Sequence, residues 1–240
     1  MDKPADCSRR WLVAAAGSAG LLVSAPSPAF ADMRPRQAAP GRKADAGKVP
    51  VTVTEDLMRE HGVLDRVLLI YEASARRLDQ GEDIEAALFT QAGEVMRDFV
   101  HGYHEKSEED EIFPRFQKAG RMVDLVGVLR VQHAAGRQLT ARMLAAVPGL
   151  SSAAERKAMI DAMSATITLY RPHAAREDTD LFPTLRSIVT PAEFEDLAET
   201  MEKREKEKLG PDGFEKAVKT VEAIEKRLGT HDLSRFTPKT

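Results

Sequence analysis

The chain has 240 residues, an apolar share of 42% and a formal net charge of −3, enough for one large domain or two small ones. Its 35 basic residues against 38 acidic ones lack the basic excess of a nucleic-acid-binding protein. A single cysteine, Cys7, rules out a disulfide within the chain and leaves any metal to nitrogen and oxygen donors.

Residues 1–31 read as a signal peptide. Arg9-Arg10 stand before Trp11-Leu12, a soft run of Ala, Gly and Val reaches Ala25, and Ala29-Phe30-Ala31 forms a small-x-small cleavage site before Asp32. Paired arginines ahead of an aromatic and an aliphatic residue resemble a twin-arginine signal; the alternative is a general secretory signal that holds two arginines. Export to a bacterial periplasm is expected, with metal loading before export if the folded chain is the cargo. The apolar run is too short and weak for a stable membrane span, so none is expected in the mature chain. Residues 32–51 carry Pro35, Pro40 and Pro50 with little to bury and are expected to be a disordered linker.

From Thr52 onward apolar residues recur at three- and four-residue intervals without strand alternation. The pattern predicts a first helix from about Thr54, as N-cap, to Leu78. A second runs from Asp83 to Phe113-Pro114 with a short extension to Lys118, a third covers Met122 to Ala146, and a fourth runs from Ser151 or Ser152 to Phe182-Pro183. Pro114 and Pro183 are read as helix terminators, and Pro172 as a kink within the fourth helix. Two further helices are expected over Pro191–Lys208 and Pro211–Leu228, closed by Gly210 and Gly229. The expected fold is all-α: an up-down-up-down four-helix bundle over residues 52–187 with a C-terminal helical extension over 188–240.

Two stretches carry the chemistry. His104-Glu105-Lys106-Ser107-Glu108 leads to Ile112-Phe113-Pro114, and 69 residues later (173 − 104) His173-Ala174-Ala175-Arg176-Glu177 leads to Leu181-Phe182-Pro183. In both copies an imidazole and a carboxylate stand at i and i+4, on one helix face, as half of a metal site requires. The alternative is a pair of buried structural His–Glu contacts. Measured from the turn near residue 81, His61 lies 20 residues before and His104 23 after; at about 1.5 Å per residue they share a level within roughly one turn. His133 and His173 lie 16 before and 24 after the turn near residue 149, a looser match that requires a tilt.

The candidate ligands are therefore His61, His104, Glu108, His133, His173 and Glu177, with Glu105 as a seventh. Four imidazoles and two carboxylates suit two iron ions, the carboxylates bridging and the histidines capping in two pairs; zinc or manganese also satisfy this donor set, and calcium does not. His101 is read as an outer contact or a surface residue and His231 as solvated. Glu109, Asp110, Glu111, Asp178 and Asp180 are read as a mostly solvated face; Tyr170 and Tyr103 are the candidate general acids near the ligands, and Tyr170, one turn before His173, either faces the metals or packs.

At these motifs, and at Asp56-Leu57-Met58-Arg59-Glu60-His61-Gly62, Gln132-His133-Ala134-Ala135-Gly136-Arg137 and Tyr170-Arg171-Pro172-His173, the chain resembles the hemerythrin-like, or HHE cation-binding, family over residues 52–187. The resemblance implies a bundle around a non-haem di-iron centre ligated by the six residues, with Glu108 and Glu177 bridging, and it adds Glu105 as an acidic ligand after the second-helix histidine. Arg137 stands where oxygen-carrying members have another histidine, and Glu177 follows its histidine by four residues where those members have an aspartate at five. Fewer imidazoles make the centre easier to oxidise, which weighs against reversible oxygen carriage. Three functions compete: binding or sensing O2 or another small diatomic ligand, through a redox or signalling partner; enzymatic reduction of peroxide or nitric oxide; and iron storage or handling.

Overall fold

A computed structural model describes residues 51–239, so the signal-peptide and linker readings lie outside the described residues, Val51 apart. The chain is all-α, with no strand among the described residues. Helix α1 spans Val53–Asp79. Helix α2 is a continuous run of Ala86–Glu94, a π-helical stretch Val95–His104, Glu105–Ser107, a second π-helical turn Glu108–Ile112, and Phe113–Ala119. Helix α3 spans Val123–Ala146. Helix α4 joins Ala153–Arg176, the π-helical turn Glu177–Leu181 and Phe182–Ile188. Helices α5, Pro191–Leu209, and α6, Gly213–Leu228, follow. No described helix is long and apolar enough to cross a membrane.

The ends follow local chemistry. Thr52, not Thr54, caps α1: its hydroxyl accepts from the Glu55 backbone while the Glu55 carboxylate returns to the Thr52 N–H, closing a capping box. Thr190 and Glu193 repeat the device on α5, with Pro191 in its first turn. Gly120 and Gly229 end α2 and α6 in the left-handed region, where a Cβ is unfavourable.

Pro114 and Pro183 do not terminate their helices. In each case the turn ahead widens, so that Phe113 N–H donates to Glu108 O and Phe182 N–H to Glu177 O, five residues back. The wider turn moves the preceding carbonyls away from the proline ring, and the helix continues. The Glu109 carbonyl, which Pro114 leaves without a backbone donor, accepts from Arg130 Nη2 at 3.0 Å. Pro172 likewise lies inside a helix that runs on to Arg176.

Two apolar clusters fill the bundle. One holds Val63–Tyr71 side chains of α1, Leu88–Tyr103 of α2, Met143 and Ala146 of α3, and Met159, Met163 and Tyr170 of α4. The other holds Val53 and Leu57, then Ile112, Phe113 and Phe116, then Val126 and Leu129, then Leu181, Phe182 and Leu185. Along the chain the order of the clusters reverses from each helix to the next, as an up-down-up-down bundle demands. Between them every helix crosses one polar layer, at His61, His104, His133 and His173.

The C-terminal helices join the same cores. Ala217, Val221, Ile224 and Leu228 of α6 belong to the first cluster, and Leu197 and Met201 of α5 to the second. Arg66 of α1 donates from Nε and Nη2 to the buried Glu225 carboxylate at 2.9 and 2.6 Å. Ile224→Ala is expected to lower the unfolding free energy of the entire bundle by about 2–5 kcal/mol in urea titrations followed by circular dichroism; a separate transition for α6 with an unchanged main transition would contradict this packing.

Candidate metal centre

The polar layer gathers six side chains into two overlapping groups. His61, His104, Glu108 and Glu177 form one, and Glu108, His133, His173 and Glu177 the other; within each group the ligand atoms all lie within 4.8 Å of one another. All six residues are buried, Glu108, His133 and Glu177 completely. The two carboxylates belong to both groups, and the imidazoles fall into pairs with ring centroids 4.8 Å apart (His61 and His104) and 5.0 Å apart (His133 and His173). The unequal arms of the second hairpin still bring His133 Nε2 to 3.2 Å from His173 Nε2. Phe182 stacks on His61 and Phe113 on His133, each with centroids 5.5 Å apart, so both Phe-Pro endings support rings of the site.

Each imidazole is oriented by an acceptor behind it. Nδ1 of His61 meets Asp178 Oδ1 at 2.7 Å, Nδ1 of His104 meets Glu60 Oε2 at 2.6 Å, Nδ1 of His133 meets Glu109 Oε1 at 3.1 Å, and Nδ1 of His173 meets Gln132 Oε1 at 3.0 Å. An acceptor at Nδ1 fixes the proton there and turns the Nε2 lone pair inward, the tautomer a metal-ligating histidine uses. Glu109 and Asp178 thus leave the solvated face assigned to them from sequence. Glu60 and Gln132 complete the set, and Tyr103 donates to Glu60 at 2.9 Å. All four backing residues are chain neighbours of a ligand yet serve the histidine of an adjacent helix. Adjacency to a ligand was the available signal.

Glu105 stands outside both groups. Its Oε1 accepts from Tyr170 Oη at 2.5 Å and meets His101 Nδ1 at 3.0 Å, while Oε2 lies 3.1 Å from Arg137 Nη2. His101 is buried, and its Nε2 meets Thr140 Oγ1 at 2.8 Å. Arg137 also donates to Glu109. His231 is exposed in the tail. Tyr170 fits only because residue 136 is glycine: a Cβ there would lie 1.9 Å from the phenol oxygen.

The inward-facing atoms test whether a metal fits. Both oxygens of Glu108, both of Glu177 and Nε2 of His61 are buried with no hydrogen-bond partner, an arrangement that costs several kcal/mol unless a cation or proton is shared among them. Burial, reinforced by the charges of Glu177, Glu105 and Glu60, pushes the Glu108 carboxyl well above its ordinary range. Burial acts the same way on Glu177, but His173 and His61 outweigh it and hold that group below the usual range. Burial lowers His61 as well, yet Asp178 and Glu177 lift it to about 9. Burial and the neighbouring His61 charge take His104 down to about 3. Nitrogen and oxygen donors facing each other in a dry layer suit a transition-metal cation.

The hemerythrin HHE cation binding domain family matches residues 52–185. The chain belongs to this family. This hemerythrin-family chain is also 40% identical over 237 residues to uncharacterized proteins of Mycobacterium bovis and Mycobacterium tuberculosis, covering 98% of its own length and 92% of theirs, a match that runs on through α5 and α6. No solved structure matches it.

Two outcomes follow for the hemerythrin-family site. With His61 held near 9, that imidazole is protonated at neutral pH in the metal-free layer, and burial favours the protonated form of the Glu108 carboxyl, so a cation competes with protons for both groups. Affinity is therefore expected to rise with pH, and calorimetry in buffers of different ionisation enthalpy is expected to show net proton release; proton uptake would contradict the assignment. Gly136→Ala is expected to displace Tyr170 from Glu105 and to destabilise the fold by about 1–3 kcal/mol, read by denaturant titration.

Proposed function

We propose that this protein is a non-haem di-iron protein that binds or senses O2 or a related small diatomic molecule. The observation that supports it most is the set of four inward Nε2 atoms around two carboxylates that belong to both groups and have no hydrogen-bond donor of their own. Imidazole nitrogen with carboxylate oxygen suits iron, as in other helix-bundle carboxylate centres; zinc or manganese satisfy the same donors. Iron would supply the redox chemistry that diatomic binding requires. The chain's part is to orient the imidazoles through Asp178, Glu60, Glu109 and Gln132, and to keep water out with the apolar clusters on either side.

Peroxide or nitric oxide reduction is the second reading, favoured by two buried phenols beside the layer. Tyr103 and Tyr170 direct their hydroxyls at Glu60 and Glu105, and burial together with those carboxylates pushes both phenols well above their usual range. Neither is poised to give up a proton at neutral pH, which ranks binding ahead of turnover. We further propose that the protein works after export, on the strength of Arg9-Arg10 and the Ala29-Phe30-Ala31 cleavage site.

On the binding reading, protein loaded with ferrous iron without air gains a visible absorption band on exposure to O2 and loses it on deoxygenation, despite the fewer imidazoles that favour oxidation. A band that bleaches and does not return, with continued consumption of added peroxide, would replace the binding reading with the enzymatic one.

A further inference from the structure

The bundle carries an internal near-twofold relation that its charges do not obey. Exchanging α1 with α3 and α2 with α4 matches His61 to His133, His104 to His173, Glu108 to Glu177 and Phe113 to Phe182. The backing contacts obey the exchange too: the acid after each shared glutamate, Glu109 or Asp178, holds the α3 or α1 histidine. The residue before the α1 or α3 histidine holds the α2 or α4 one, but it is Glu60 in the first half and Gln132 in the second. One turn beyond those histidines the pattern breaks again, with Asp65 after His61 and Arg137 after His133.

These breaks act in one direction. The position between His61 and His104 is backed by two carboxylates, Asp178 and Glu60. Asp65 lies near enough to act electrostatically on both His61 and Asp178. The position between His133 and His173 is backed by one neutral amide, Gln132, and by Glu109, whose Oε1 also accepts from the Arg137 guanidinium. Glu105, the other acid on that side, is bonded to Tyr170 and His101 and to no ligand imidazole, and it too faces Arg137. A carboxylate behind an imidazole raises its basicity and its hold on a cation, and exchanging such a partner shifts metal affinity by about 10–100-fold.

We infer that the two metal positions are unequal: the His61–His104 position fills first, and the His133–His173 position is the weaker, exchangeable one, with Asp178 and Glu60 against Gln132 and Arg137 setting the order. The inference rests on the two-metal reading above. It assigns to Asp178, Glu60, Gln132 and Arg137 a positioning and charge-setting role, not ligation.

Anomalous diffraction from crystals grown with one equivalent of cobalt(II) per chain tests it, because the occupancy of each position is read directly. Occupancy is expected to be about tenfold or more higher between His61 and His104. Asp178→Asn is expected to move cobalt toward the His133–His173 position, and Gln132→Glu to do the same by strengthening that position, so the two variants check one another if either folds poorly. Equal occupancy, or a preference for the His133–His173 position in the unaltered chain, would overturn the ordering and leave the two-metal reading intact. Cobalt at neither position would overturn both.

Discussion

Two buried carboxylates share one polar layer of this bundle, with imidazole Nε2 atoms 3.1 to 3.8 Å from their oxygens. Glu108 and Glu177 are wholly buried, and none of their four oxygens has a hydrogen-bond partner. Like charges this close in low dielectric do not both ionise unaided, and an uncompensated buried ion costs several kcal/mol. The fold nonetheless places these groups with care. Each opens a π-helical turn, and each is flanked by histidines already oriented from behind. The layer makes physical sense as a cradle for positive charge.

That cradle is built by two hairpins that complete each other. Asp178 of α4 orients His61 of α1, and Glu109 of α2 orients His133 of α3. Phe182 and Phe113 stack on the same two rings. Neither hairpin makes a finished half-site alone, so closing the bundle and forming the site are one event. Apolar clusters above and below seal the layer, and α5 and α6 extend those clusters rather than forming a separate core. Assembly of this kind couples metal affinity to bundle stability, since a ligand that binds only the folded chain stabilises it by mass action.

The helices and the level of the site were legible in the sequence because both depend on spacing along one helix. The i, i+4 pairs at His104 and Glu108 and at His173 and Glu177 specify a face whatever the helix packs against. The outer contacts were not legible for the opposite reason. Glu109 and Asp178 follow Glu108 and Glu177 by one residue, which turns them off the inward face and by periodicity alone marks a solvated position; packing against the adjacent helix brings them to His133 and His61. Glu105, which the family resemblance offers as a ligand beside His104, follows the same rotation toward α3 and α4 and meets Tyr170 and Arg137. Pro114 and Pro183 carry the sequence signature of helix terminators, but a widened turn ahead of each lets the helix continue.

The most direct test of the central claim is elemental analysis after equilibrium dialysis against ferrous iron without oxygen, comparing the unaltered chain with the Glu108→Gln, Glu177→Gln double variant. The unaltered chain should retain about two irons, and the double variant almost none while keeping the same helical circular dichroism. An unaltered chain that stays iron-free, or a double variant that holds as much iron, would contradict the account.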